Sequence, residues 1–186
     1  MRKLAVFNNI SLDGYFTDAK GDMSWAHQTD PEWNQFSSEN ASGGADLLFG
    51  RVTYEMMASF WPTPQAHAAL PVLAERMNKL SKFVFSKTLK QVTWSNTSLV
   101  KGELLDAVRE LKRAAGPDLV LMGSGSIVSQ LTQARLIDSY QVVTVPIIIG
   151  RGRTLFEGVT DKLALKLERT RAFSNGNVVS WYTPLS

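Results

Sequence analysis

The sequence predicts a single α/β domain: a mostly parallel mixed sheet flanked by helices, with a C-terminal antiparallel hairpin. Three observations carry this. Short apolar runs alternate with stretches of helical spacing as far as Leu136, the pattern of parallel strands joined by helices on both faces. From Ser139 onward strand-like runs follow one another without a helix, and Asn175-Gly176 between the last two is a hairpin signal. The length of 186 residues suits one compact domain, residues 1–186, rather than two.

Leu4 to Ile10 reads as a first buried strand ending in the turn Ser11-Leu12-Asp13-Gly14, and the stretch from Asp18 to Ser24 is polar and turn-rich. Asp30-Pro31-Glu32 has the chemistry of a helix start: an N-cap acid, a proline at the first helical position and an acid in the first turn. That helix runs through Trp33 and Phe36 and stops by Ser42-Gly43-Gly44. Ala45 to Phe49 is a short strand, and Gly50 turns into a helix near Thr53 to Ser59, which Trp61-Pro62-Thr63-Pro64 breaks. A helix over Pro71 to Leu80 precedes the strand Lys82 to Phe85, with Val92 to Trp94 and Thr97 to Val100 as short edge pieces. Leu104, Leu105, Val108 and Leu111 mark one buried face of a helix over Glu103 to Ala115. Asp118 to Met122 is a strand, Gly123-Ser124-Gly125 a tight turn and Ser126 to Leu136 a helix. A long strand over Ser139 to Ile149, a return strand over Ala164 to Ala172 and a last one over Val178 to Tyr182 complete the chain.

Composition narrows the function. A net charge of +3, with no run of basic residues, gives no footprint for nucleic acid. The absence of cysteine removes disulfides, thiolate zinc sites and a cysteine nucleophile together. His27 and His67 lack ligand spacing, so no metal is expected. No apolar stretch is long enough to span a bilayer, and Met1 to Phe7 lacks the long apolar region of a secretory leader, so a cytoplasmic location is expected.

Three strand-to-helix or strand-to-loop junctions carry phosphate-friendly groups. At Phe49-Gly50-Arg51-Val52-Thr53-Tyr54 a glycine meets a helix start, whose N–H groups and dipole favour an anion, and Arg51 adds a permanent planar charge. Met122-Gly123-Ser124-Gly125-Ser126-Ile127 repeats the logic, although Val128 replaces the third glycine of the dinucleotide fingerprint. Each corner alone reads equally well as a tight turn without a ligand. Together they would lie at the carboxyl edge of one sheet, where α/β ligands bind. The third junction, Ser86-Lys87-Thr88, places hydroxyls and an ammonium where NAD enzymes often carry an acid, so NADPH rather than NADH is the expected cofactor.

With these segments assembled, the chain resembles the dihydrofolate reductase-like superfamily. The resemblance rests on Ser11-Leu12-Asp13-Gly14, Gly50 to Glu55, Ser86-Lys87-Thr88-Leu89 and Met122 to Gly125, in order along nearly the whole chain. Within it, the chain is most similar to the reductase domain at the C-terminus of the bifunctional riboflavin-biosynthesis deaminase-reductase, a likeness that Pro146 to Gly152 shares. The resemblance implies a homodimer and an NADPH-dependent reduction of a small heterocycle, such as the 5-amino-6-(5-phosphoribosylamino)uracil step. It implies diphosphate contacts from Gly50, Arg51, Thr53, Gly123, Ser124, Gly125, Ser126 and Ile127, and 2′-phosphate contacts from Arg51, Ser86 and Lys87.

The first strand would floor the reacting centre, so Phe7, Asn8 and Asn9 are candidate lining residues, with a polar pair capping a turn as the plainer reading. Asp13 is a candidate for chemistry or, as a turn residue, for ordering the loop over the cofactor. Glu32, at the position that best matches the acid of the folate enzymes, is the candidate proton donor, with Asp30 next; helix-start acids that complement the dipole are the plainer reading of both. Arg151 and Arg153 are candidates for a substrate phosphate. Trp25, Trp33 and Trp61 would roof the pocket or pack in the core. Where folate enzymes carry the arginine that grips the glutamate tail, this chain has Lys79 and Lys82, with Arg76 further back, so folate is disfavoured. Without cysteine there is no zinc-deaminase half, which leaves only a reductive step. A dihydrofolate or pterin reductase, and a nucleotide-binding module without turnover, remain the alternatives.

Overall fold

A computed structural model describes residues 1–27 and 30–185. Its centre is an eight-stranded sheet of order β5-β4-β3-β6-β1-β7-β10-β9. The strands are β1 (Leu4–Ser11), β3 (Asp46–Gly50), β4 (Lys82–Phe85), β5 (Thr97–Val100), β6 (Leu119–Met122), β7 (Ser139–Val145), β9 (Leu165–Ala172) and β10 (Val178–Pro184). β5, β4, β3, β6, β1 and β7 run parallel; β10 is antiparallel to both β7 and β9. Six helices connect them: α1 (Pro31–Ala41), α2 (Arg51–Phe60), α3 (Pro64–Ala69), α4 (Pro71–Lys79), α5 (Leu104–Arg113) and α6 (Gly125–Gln133). The expected mixed α/β sheet with its antiparallel C-terminal pair is the observed architecture.

The local chemistry explains most boundaries. Asp30 caps α1 by accepting the Trp33 N–H at 2.9 Å, with Pro31 at the first helical position, where it has no donor to lose. The expected strand to Ile149 stops at Val145, because Pro146 cannot donate to a ladder, and Ile147 N–H turns back to the Val145 carbonyl. The Trp61 to Pro64 break conceals α3, which Thr63 caps by accepting the Ala66 N–H. Val92 to Trp94 forms no strand; Trp94 is buried against Phe49 and Tyr54 instead. Two short strands escape the sequence pattern: β2 (Tyr15–Asp18) and β8 (Gly152–Thr154), which pair with each other as a separate antiparallel ribbon.

The alternation of side chains along the strands divides the core between two faces. Leu4 and Val6 of β1, Leu48 of β3 and Leu119 and Leu121 of β6 pack with Val108 of α5 and with Val128 and Leu131 of α6. On the opposite face, Leu47, Phe49 and Val84 meet Tyr54 and Met77, while Val143, Val145 and Val179 lie with Trp33 and Phe36 of α1 and with Phe173. Full burial of each large apolar side chain contributes about 1.5–3 kcal/mol, so this two-sided core fixes the register of the central strands β3, β6, β1 and β7. Register in turn sets which side chains stand at the carboxyl edge.

Candidate functional site

At that edge the two glycine corners interlock. Gly50, the last residue of β3, has an extended backbone (φ −82°, ψ 168°), so no unusual dihedral requires glycine there. Close approach does: a Cβ at Gly50 would lie 2.3 Å from the Ser124 hydroxyl oxygen. That hydroxyl accepts the Gly50 N–H at 2.8 Å and lies 3.0 Å from Thr53 Oγ1. The sharp turn expected at Gly50 is therefore a contact, and its N–H is held by Ser124 rather than facing outward. Gly123 does need its conformation: φ is +65°, and a Cβ would stand 2.7 Å from Thr53 Oγ1. Ser124 follows at φ +60°, a left-handed backbone that a serine adopts only under local constraint. Its carbonyl accepts both the Ile127 and Val128 N–H groups. Gly125 and Ser126 keep first-turn N–H groups that a helix cannot satisfy from within.

The third junction lies alongside. Gly50 is the register partner of Phe85, so Arg51 and Ser86 leave the ends of adjacent strands. Arg51 is half-exposed and pairs with Glu55 at 2.9 Å, one helical turn on. The Ser86 hydroxyl accepts the Thr88 and Leu89 N–H groups, which fixes the loop, while Lys87 pairs with Glu103 at 2.9 Å in solvent. Ser86, Arg51, Gly123 and the end of β1 thus follow one another on four consecutive strands, a row about 15 Å long at ordinary strand spacing.

Asn8 and Asn9 part company here. Asn8 is buried and, by alternation with Leu4 and Val6, lies on the α6 face; its carboxamide oxygen has no hydrogen-bond partner. Asn9 is half-buried on the α1 face with Phe7, which packs in the Trp33 cluster beside Trp25. Trp61 belongs to a different cluster, with Tyr54 and Met77, so the three tryptophans do not form one roof. His67 lies 3.3 Å from Asn78, and among the described residues no three metal-ligating side chains gather.

The two candidate acids are both engaged. Glu32 accepts Arg171 Nη2 at 3.0 Å and the Ser174 N–H at 3.2 Å, tying α1 to the hairpin between β9 and β10. The Arg171 guanidinium, foremost, and the Ser174 amide hold its carboxyl below the usual range. Asp13 accepts the Gly150 N–H at 2.7 Å and the Ile149 N–H at 3.3 Å, bridging the loop after β1 to the loop after β7. The Ser11 hydroxyl, foremost, and those two amides hold its carboxyl below the usual range. Arg151 and Arg153 are both exposed but diverge: Arg151 lies in the loop before β8, and Arg153, on β8, lines a cavity of about 290 Å³ with Gly125, Ser126, Thr154 and Glu157. Thr154 and Glu157 were not legible as site residues: Thr154 is on a three-residue strand too short to show a period, and Glu157 lies in the loop beyond it.

Lys82 is wholly buried, and its ammonium donates to the carbonyls of Met77, Asn78 and Leu80 at the end of α4, 4.5 Å above the Trp94 ring. Lys79 pairs with Glu75 at 2.7 Å. Neither offers a free cation for a glutamate tail.

A mostly parallel mixed sheet flanked by helices, with an antiparallel C-terminal pair and glycine corners gathered at its carboxyl edge, is the dihydrofolate reductase-like fold. Residues 2–179 match the RibD C-terminal domain, and the chain belongs to that family. It is 25% identical over 177 residues to the uncharacterized protein YyaP of Bacillus subtilis (strain 168), covering 95% of this chain and 92% of that one. A crystal structure from Shewanella sp. PV-4, provisionally assigned to riboflavin biosynthesis, superposes with a TM-score of 0.75 at 24% identity over 99% of each chain. The diaminohydroxyphosphoribosylaminopyrimidine deaminase/5-amino-6-(5-phosphoribosylamino)uracil reductase of Thermotoga maritima superposes at 0.68 with 16% identity. That match takes in 99% of this chain but 57% of the bifunctional protein. Among the described residues no helix is long and apolar enough to cross a membrane.

Proposed function

We propose that the protein is an NADPH-dependent oxidoreductase that reduces a flat heterocyclic small molecule, with 5-amino-6-(5-phosphoribosylamino)uracil as the named candidate and a homodimer as the working form. The observation that carries this reading is the row of Ser86, Arg51 and the interlocked Gly50 and Gly123 corners on consecutive strand ends. The residues fit the cofactor. Gly125 and Ser126 present N–H groups to a diphosphate, Arg51 and Ser86, with Lys87 beside them, suit a 2′-phosphate, and the unpartnered Asn8 oxygen is an acceptor in want of an amide donor. NADPH, when bound, supplies the hydride. The chain's own part is to hold and orient it, with Phe7 and Asn9 on the α1 face as the lining for the acceptor.

Glu32 and Asp13 take structural roles in this reading. Each has its pKa held down and is committed to backbone amides, so Glu32 locks the hairpin to α1, and Asp13 orders the loops. The buried, fully engaged Lys82 supports a substrate other than folate. The test is NADPH oxidation followed at saturating cofactor with 5-amino-6-(5-phosphoribosylamino)uracil and dihydrofolate side by side. Turnover of the uracil alone is expected. Turnover of dihydrofolate alone would replace the substrate. Thermal stabilisation by NADPH with turnover of neither would make the chain a binding module.

A further inference from the structure

The β2–β8 ribbon brings Arg153 to a place its sequence position does not announce. Tyr15 pairs with Thr154, Thr17 with Arg153 and Asp18 with Gly152. The crossing is close, since a Cβ on Gly152 would lie 2.0 Å from the Thr17 carbonyl oxygen. Phe16 is buried and lies directly on Gly125, where a Cβ would stand 2.7 Å from its ring. Leu155, two residues beyond Arg153, is buried in the cluster that holds Val128 and Leu131 of α6. The Ser129 hydroxyl donates to the Glu157 carbonyl at 2.5 Å, and Asp13 fixes the other end of the segment through the Gly150 and Ile149 amides. The ribbon is thus held to α6 at Gly125 and Ser129, and to the loop after β1 through Asp13.

Arg153 thereby stands on the α6 side of the sheet, while Phe7, Asn9 and Trp25 stand on the α1 side. Its guanidinium has no ion pair among the described residues, although Glu157 shares the cavity. A planar, permanent cation facing the Gly125 and Ser126 end of α6 is suited to an oxyanion held bidentately. The unpartnered, buried Asn8 oxygen lies on this same face of β1, one residue past the Phe7–Met122 pair that adjoins Gly123; as an acceptor outside the cavity's lining it suits an amide donor further along the same cofactor, not the diphosphate.

We infer that Arg153 binds the diphosphate of the cofactor, not the substrate, and that the β2–β8 ribbon is the element that presents it. The inference rests on the NADPH reading above. It is tested by titrating NADPH into wild type, Arg153→Gln and Arg153→Lys, with the KM for 5-amino-6-(5-phosphoribosylamino)uracil measured at saturating NADPH. Loss of a charge-assisted contact is expected to weaken NADPH about tenfold or more in Arg153→Gln. Arg153→Lys should recover part of it, and the substrate KM and the melting temperature without ligand should hold. An unchanged NADPH affinity with a raised KM for the phosphorylated substrate would overturn the inference and leave the cofactor reading intact. Failure of the wild type to bind NADPH would overturn both.

Discussion

Gly50→Ala is the sharpest perturbation of the candidate site, because its cost is set by contacts rather than by backbone freedom. The added Cβ would lie 2.3 Å from Ser124 Oγ, 2.9 Å from Ser124 Cβ and 3.1 Å from Ile127 Cδ1. The first two contacts fall well inside van der Waals separation, so Ser124 must move by about 1 Å. Rotating it away surrenders the bonds to Gly50 N–H and Thr53 Oγ1. Overpacking costs about 1–3 kcal/mol, and the two lost hydrogen bonds, at about 0.5 kcal/mol each, add about 1 kcal/mol. A total of about 2–4 kcal/mol corresponds to a melting temperature lower by about 5–15 °C in a domain of this size. Because Ser124 also sets the start of α6 through its carbonyl, NADPH affinity should fall about tenfold or more. Gly50→Ala combined with Ser124→Gly removes the clashing atoms and suits the left-handed backbone, so it should regain stability relative to Gly50→Ala alone. Thermal unfolding and a fluorescence titration of NADPH check both effects. A Gly50→Ala protein with wild-type melting and wild-type affinity would refute the interlocked-corner account.

Four further outcomes follow. Arg51→Gln should reduce the preference for NADPH over NADH by about tenfold through loss of a charged contact, which the ratio of the two KM values reads. Glu32→Gln should keep kcat near wild type; a collapse of kcat with NADPH affinity intact would restore Glu32 as the proton donor. Burial pushes the Lys82 pKa down from 10.5 to about 8, so between these values the native chain holds fewer protons than the unfolded one, and stability rises with pH across that window. The three carbonyls favour the ammonium and temper the rise to about 1–3 kcal/mol; Lys82→Met should abolish it in denaturant melts at pH 8 and 10. Asn177 is wholly buried with neither side-chain amide atom bonded, so Asn177→Leu should be neutral or stabilising by about 1 kcal/mol, and a fall in the denaturation midpoint would show that its amide is satisfied in solution.

Much of the fold was legible because strong local signals agreed with tertiary packing. The apolar run of β3 is buried on both faces, those of β1, β4 and β6 are buried on one face and half-buried on the other, and the helix start at Asp30-Pro31 has its own cap chemistry. What escaped was structure whose partner is remote. β2 and β8 have four and three residues, too few for a period, and each exists only because the other lies against it. The candidate site was legible in the same uneven way. Glycine followed by a helix start marks a corner, but nothing in the sequence says that the Ser124 hydroxyl fills the Gly50 N–H. Consecutive asparagines read as a pair, yet strand alternation sends Asn8 and Asn9 to opposite faces. Glu32 looked like an active-site acid because residue type and helix position matched; its partners, Arg171 and Ser174, are 139 and 142 residues away in sequence.

The central claim is that NADPH lies across the ends of β4, β3, β6 and β1. A crystal structure grown with NADPH tests it most directly. The diphosphate is predicted between the Gly50–Thr53 and Gly125–Ser126 corners with Arg153 against it, the 2′-phosphate at Arg51 and Ser86, and the carboxamide within hydrogen-bond reach of Asn8. Cofactor bound elsewhere on the chain, or a diphosphate with no contact to either glycine corner, would contradict the account.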